Sequence, residues 1–171
     1  EAVLGLAGTE SVPPVADSRI FASVVPDRPD FRDLAYSPPL LEARDKLCPP
    51  DGAIPPPGDQ MGEPTCVGFA LATAIDMQLV RLGRNVSVSQ RMLYEMARLH
   101  DEWVDDEAGG TSLRGAIKGF FHSGVCPLEH APYRPGQRHW SLSITAAKAA
   151  RQITLGAYYR LRPSIIDFQV A

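Results

Sequence analysis

Apolar side chains recur at helical spacing directly after residue 65. They occupy positions i, i+3, i+4, i+7, i+11 and i+14, which predicts a helix with one apolar face that begins at Cys66. Gly83 follows as the predicted end of this helix, because glycine readily adopts positive φ. The predicted face comprises Cys66, Phe69, Ala70, Thr73, Met77 and Val80.

Two further helices are predicted from capping residues and spacing. The second begins at Ser89, whose hydroxyl can cap it, with Val88 and Leu93 at the staple positions. The third begins at Thr111 or Ser112 and ends at Gly124. The predicted inner stripes are Leu93, Met96, Ala97 and His100 in the second helix, and Leu113, Ala116, Ile117, Phe120 and Phe121 in the third.

The two ends of the chain have different patterns. Of the 16 prolines, 12 lie in residues 1–64, which predicts extended and turning chain there. Residues 1–25 form a leader that is either disordered or extended over the core, whereas the apolar side chains of residues 31–47 are expected to pack on it. Near the other end, residues 145–152 predict a short helix, 153–162 a strand, and 164–171 the start of another helix.

Composition and charge narrow the function classes. A chain of 171 residues with 44% hydrophobic and 22% charged residues is typical of one globular domain. The net charge is −3 and the basic residues are scattered, so no nucleic-acid partner is expected. No apolar run is long enough to span a bilayer. No metal or cofactor motif occurs, and neither phosphate-loop, serine-hydrolase nor zinc-protease patterns are present.

The three cysteines do not suggest a disulfide framework or a zinc site, because they are isolated at positions 48, 66 and 126. Cys48 and Cys126 each precede a proline and are expected to be packing residues. Cys66 differs because it opens a helix, and the N-terminus of a helix favours the thiolate form of cysteine. A small buried core residue is the competing interpretation of a cysteine at that position.

The segment DQMGEPTCVGFA, residues 59–70, resembles the nucleophile segment of papain-like cysteine peptidases. The resemblance extends over residues 25–165: VPDRPDFRDLAY and KLCPP resemble the lead-in of bacterial members, SVSQRMLYEMAR their second helix, and GGTSLRGAIKGFFHSGVCPLEHAPY their third helix and turn. It implies that Cys66 is the nucleophile and that Gln60 donates to the oxyanion. It also implies that Gly109 and Gly110 bind extended substrate by their backbone, although a plain turn would also explain the pair.

The resemblance implies an α+β papain-like fold, mainly the helical lobe with the start of the β lobe, in which residues 26–171 are the N-terminal part of one peptidase domain. The family's histidine lies about 130 to 150 residues after the cysteine, beyond Ala171, so a second lobe or second chain is expected to supply it. The isolated chain is therefore expected to be an inactive part of an endopeptidase and poorly soluble. His100, His122, His130 and His139 are expected to have structural or solvated roles.

Departures from the family leave other functions open. Val67 follows the cysteine where the family has an aromatic residue, and the second cysteine before it is absent. Loss of that cysteine removes a bridge typical of secreted members, which slightly favours a cytoplasmic location. A catalytically silent peptide- or protein-binding module is the alternative, and a transglutaminase-like or amidase-like acyl-transfer enzyme is a third. The acidic stretch DEWVDDE, residues 101–107, is a solvated loop or edges the cleft and favours basic substrates.

Overall fold

The computed structural model describes residues 27, 30–37, 54–102, 109–137 and 139–170. The predicted leader at 1–25, the apolar residues 40, 41 and 47, and Cys48 lie outside these residues. Five α-helices follow one another along the described chain, with a short 3₁₀ turn at Leu128–His130 after the third. They are α1 (Cys66–Arg81), α2 (Gln90–His100), α3 (Leu113–Ser123), α4 (Ile144–Ala150) and α5 (Ile165–Val170).

The helix ends confirm the capping predictions. The Ser89 hydroxyl accepts a hydrogen bond from the Met92 amide at the start of α2, and the Ser112 hydroxyl accepts one from Gly115 at the start of α3. Gly124 ends α3 with a φ of 68°, a value that glycine adopts without steric cost. The short helix near residue 145 and the helix after residue 164 are also present.

The face by which α1 packs differs from the predicted one. None of the six residues of the predicted face is buried, and the helix packs through the neighbouring series Val67, Gly68, Ala72, Ile75, Asp76 and Leu79. Gly68 explains this choice, because a Cβ there would lie 2.7 Å from the Gln90 carbonyl oxygen of α2. Both faces of α1 are largely apolar, so periodicity alone does not identify the packed one.

Helices α2 and α3 form the centre of the described fold. Gly119 of α3 lies against the backbone of Met96, where an added Cβ would be 2.8 Å from the Met96 carbonyl carbon. The two helices therefore cross at close range. The largest core cluster consists of Ala72, Ile75, Leu79, Val88, Leu93, Phe120, Val125 and Ile153. In the predicted stripe of α3, Leu113 and Phe121 are instead 44% and 41% exposed.

The strand predicted at residues 153–162 is wrong. Among the described residues this segment makes only one isolated parallel bridge, between Arg160 and Ala35. The Arg160 amide donates to the Leu34 carbonyl at 2.8 Å, and the Tyr36 amide donates to the Arg160 carbonyl at 2.9 Å. A stable strand needs a second strand paired along its length, whereas residues 34–36 form a single bridge with Arg160.

The segment at residues 30–37 is held by charge rather than by apolar packing. Phe31 is 98% exposed and Leu34 is 63% exposed, contrary to the prediction that they pack on the core. Asp33 instead pairs with Arg114 of α3 and, at 2.8 Å, with Arg160. The hydrogen bonds from Arg114 hold the pKa of Asp33 well below its usual range.

Membrane-spanning helices and clusters of metal ligands are both absent from the described residues. None of the helices described has the length and apolarity that a bilayer crossing requires. No group of three or more histidine, cysteine, aspartate or glutamate side chains could hold a metal ion within the described part of the chain.

Candidate active site

Cys66 is the first residue of α1, and its side chain is half-buried. Thr65 before it is 1% exposed, and its hydroxyl does not cap the helix. The N–H groups of the first helical turn, which point away from the helix, therefore lie beside the thiol and receive no hydrogen bond from the Thr65 side chain. A thiol in this setting combines access from outside with the positive end of a helix dipole.

The loop before Cys66 turns back on itself between Gln60 and Thr65. The Glu63 amide donates to the Gln60 carbonyl at 3.1 Å, and the Thr65 amide donates to the Glu63 carbonyl at 2.8 Å. Met61 and Gly62 form the bend with φ values of 51° and 75°. The turn keeps Gln60, which is half-buried, close in space to the start of α1.

A tyrosine from a distant part of the chain contacts this loop. The Tyr133 hydroxyl lies 2.7 Å from the Gln60 carbonyl oxygen, 3.0 Å from Glu63 Oε2 and 3.3 Å from Thr65 Oγ1. Its ring meets the Phe69 ring edge-on, with centroids 4.9 Å apart. Burial raises the pKa of Tyr133, so the phenol keeps the proton that it donates. Sequence reasoning assigned Tyr133 no role, although its tripeptide APY lies in the segment that resembles the family.

Gly109 lies at the other side of the Cys66 loop. It has a φ of 67°, and a Cβ there would lie 3.1 Å from Pro64 Cγ. The Tyr94 hydroxyl donates to the Gly109 carbonyl at 2.6 Å. The structure thus brings Gly109 to the loop that carries Gln60 and Cys66. Gly110 follows it directly and leads into α3.

The entry to α3 after these glycines is fixed by Asp101. Its carboxylate accepts from the Thr111 hydroxyl at 2.5 Å, from the Ser112 amide at 3.0 Å and from the Ser112 hydroxyl at 2.5 Å. Thr111 and Ser112 are buried. Asp101 therefore ties the end of α2 to the beginning of α3, and part of the predicted acidic stretch, residues 103–107, lies outside the described residues.

Two of the four histidines lie near helix ends, His100 as the last residue of α2 and His122 in the last turn of α3. His100 and His122 stack with ring centroids 5.0 Å apart, and burial, followed by the charges of His122 and Lys118, lowers the pKa of His100. His130 ends the 3₁₀ turn beside Glu129, and His139 is exposed in a loop. None of these four side chains lies in surroundings that indicate a catalytic base.

Cys126 has the environment of a packing residue, as predicted. It is 0% exposed, and burial raises the pKa of its thiol. It packs in a cluster with Met92 and Met96 of α2. Of the two cysteines that the structure describes, only Cys66 has an accessible side chain.

No protein-family model and no curated protein matches the chain. Two solved structures do. Xylellain, a cysteine protease from Xylella fastidiosa, matches with a TM-score of 0.72 and 24% identity over 86% of this chain and 61% of its own. Digestive procathepsin L 3 from the larval midgut of Tenebrio molitor matches with a TM-score of 0.55 and 18% identity over 75% of this chain and 41% of its own. The chain thus spans less than two thirds of either structure, and its fold is that of the papain-like cysteine peptidases, of which the described helices form the helical lobe.

Proposed function

We propose that this chain is the nucleophile-bearing lobe of a papain-like cysteine peptidase that acts on peptides or proteins. The observation that supports this most is the half-buried thiol of Cys66 at the first position of α1, beside the Gln60 turn and Gly109. A structural cysteine has no need of that position, as the buried Cys126 illustrates.

In the proposed reaction, Cys66 Sγ attacks the carbonyl carbon of the scissile peptide bond as a thiolate. The negative charge that develops on the carbonyl oxygen is stabilised by the side-chain amide of Gln60 and the backbone N–H of Cys66. An imidazole from a second lobe or a second chain takes the proton of the Cys66 thiol and gives it to the leaving amine, and water then hydrolyses the thioester. Gly109 and Gly110 bind the extended substrate backbone beside the nucleophile.

The complete enzyme would cleave polypeptides at internal bonds, and this lobe alone would be inactive. A lobe that carries only the nucleophile and the oxyanion donor lacks the base that regenerates it, so it cannot complete a catalytic cycle. Residues 26–171 would then be the N-terminal part of one peptidase domain. A cleft edged by the acidic residues 101–107 would favour lysine-containing over leucine-containing peptides, which paired fluorogenic substrates would compare.

The test is hydrolysis of a fluorogenic peptide amide by the protein in its natural, complete form. Cys66→Ala should abolish turnover, whereas Cys126→Ala should keep it. Gln60→Ala should lower kcat by about 100- to 1000-fold, the loss typical of one oxyanion donor. Gln78→Ala, at an exposed glutamine of α1, is the matched control and should leave kcat unchanged.

Two other experimental results would favour a different function. Saturable peptide binding without cleavage by the complete protein would favour the silent binding module. Transfer of the acyl group to an added amine, seen by mass spectrometry of the products, would favour a transglutaminase-like or amidase-like enzyme.

A further inference from the structure

The Gln60–Thr65 loop is held from outside by one phenol. A tyrosine hydroxyl has a single proton, and two acceptors face it, the Gln60 carbonyl at 2.7 Å and Glu63 Oε2 at 3.0 Å. The Thr65 hydroxyl is then free to donate to the phenol oxygen at 3.3 Å. Both ends of the loop thus meet on one atom.

Glu63 gives the same loop a second anchor. Its Oε1 accepts from the Gly136 amide, and its Oε2 lies 3.5 Å from Arg91 Nη1. The Arg91 side chain is only 5% exposed, and it also donates to the Gln137 carbonyl at 2.6 Å. A buried guanidinium with several acceptors is a fixed group. The loop is therefore tied to residues 133–137 by hydrogen bonds and to α2 by an ion pair.

We propose that Tyr133, together with the Glu63–Arg91 pair, is a positioning residue that holds the Gln60 turn in place against Cys66. This inference rests on the proposed function, because the turn has a catalytic task only if Gln60 faces an oxyanion. Glu63 stands three residues before Cys66, where the family signature has its second cysteine. An ionic anchor thus occupies the position from which a disulfide would otherwise tie this loop.

The geometry explains why the loop needs such an anchor. Met61 is 63% exposed and has a left-handed φ of 51°, a conformation that side chains other than glycine seldom adopt. Inside the loop, the Glu63 amide donates to the Gln60 carbonyl, the Thr65 amide to the Glu63 carbonyl, and the Met61 amide to the Asp59 carboxylate at 2.8 Å. A shift of about 1 Å in a catalytic group can cost about 100-fold in rate, so contacts that add to these local bonds and hold the Gln60 turn in place bear directly on the rate.

The first test is Tyr133→Phe, which removes the hydroxyl and keeps the ring that contacts Phe69. Amide hydrogen exchange at Glu63 and Thr65 should become about tenfold faster, the effect of losing about 1.4 kcal/mol of local stability. In the complete protein, kcat on a peptide amide should fall about tenfold while KM stays within about twofold, because transition-state contacts are lost and ground-state binding is kept. Tyr159→Phe, at a 55% exposed tyrosine, is the matched control and should change neither quantity.

A second variant, Glu63→Gln, keeps the inference testable if Tyr133→Phe fails to fold. Glu63→Gln keeps the size of the side chain but removes its charge, and it should speed exchange at the Gly136 amide as well as at Glu63. Because both variants act on one loop, the double variant should lower kcat by less than the product of the two single losses.

The outcomes separate this inference from the proposed function. If the wild type fails to cleave any peptide, the proposed function is lost, yet the exchange rates still decide whether the anchor exists. Unchanged exchange at Glu63 and Thr65 in Tyr133→Phe, or unchanged kcat in a cleaving enzyme, would overturn the positioning role. Multiplicative losses in the double variant would also overturn it.

Discussion

Asp101→Ala should destabilise the fold more than any ordinary surface substitution. The carboxylate accepts three hydrogen bonds from Thr111 and Ser112, and these residues are only 0% and 4% exposed. The change would leave the Ser112 amide without its acceptor, at a cost of about 1–3 kcal/mol, and would remove the acceptor of two hydroxyls at about 0.5–1 kcal/mol each. Together these losses amount to about 3 kcal/mol.

Urea unfolding followed by circular dichroism measures this loss as a fall in the midpoint with an unchanged slope. Thermal unfolding should show a melting temperature about 6–12 °C lower, given about 2–4 °C per kcal/mol for a protein of this size. Glu102→Gln is the control, because Glu102 is the immediate neighbour of Asp101 and, among the described residues, forms an exposed ion pair with Lys118 at 3.3 Å. Exposed pairs contribute about 0–1 kcal/mol. If Asp101→Ala unfolds within about 0.5 kcal/mol of this control, the clamp between α2 and α3 is not a stabilising feature.

Three further outcomes follow from the same contacts. Gly119→Ala would place a Cβ 2.8 Å from the Met96 backbone, so the free energy of unfolding in urea should fall by about 1–3 kcal/mol. Arg114 lowers the pKa of Asp33 from its ordinary value of 3.8. The stability that this ion pair contributes should therefore be complete above about pH 4 and should be lost as the pH falls through the lowered pKa. Urea midpoints at pH 3 and pH 5 should differ less in Asp33→Asn than in the wild type. Tyr94→Phe releases the Gly109 carbonyl, so KM for a peptide substrate should rise about fivefold with kcat kept, and an unchanged KM would separate Gly109 from substrate binding.

Local sequence signals predicted the helices well. Ser89, Ser112 and Gly124 form hydrogen bonds or turns with residues close to them in sequence, so the sequence alone located the start of α2 and both ends of α3. The packed face of α1 was missed because two apolar series run along that helix, and the choice between them depends on Gly68 meeting the backbone of α2.

Long-range contacts explain the other misses. Asp33 holds the segment at residues 30–37 through Arg114, which lies 81 residues away in the sequence. Hydrophobic periodicity cannot predict a pair so distant along the chain. Residues 153–162 have the composition of a strand, which led to the prediction of one. In the described chain they meet a pairing partner only at the Ala35–Arg160 bridge, so no strand forms. In the site, spacing and resemblance indicated Cys66, Gln60 and the glycine pair. Tyr133 was missed because it meets Gln60 across 73 residues.

Mass spectrometry of the complete protein, after reaction with a peptidyl electrophile that imitates a scissile bond, tests directly whether Cys66 is the nucleophile. We expect one covalent adduct, mapped to Cys66, which is absent in Cys66→Ala and forms more slowly in Gln60→Ala. Labelling that is indifferent to Gln60 and distributed over Cys48 and Cys126, or no adduct at all, would contradict this assignment.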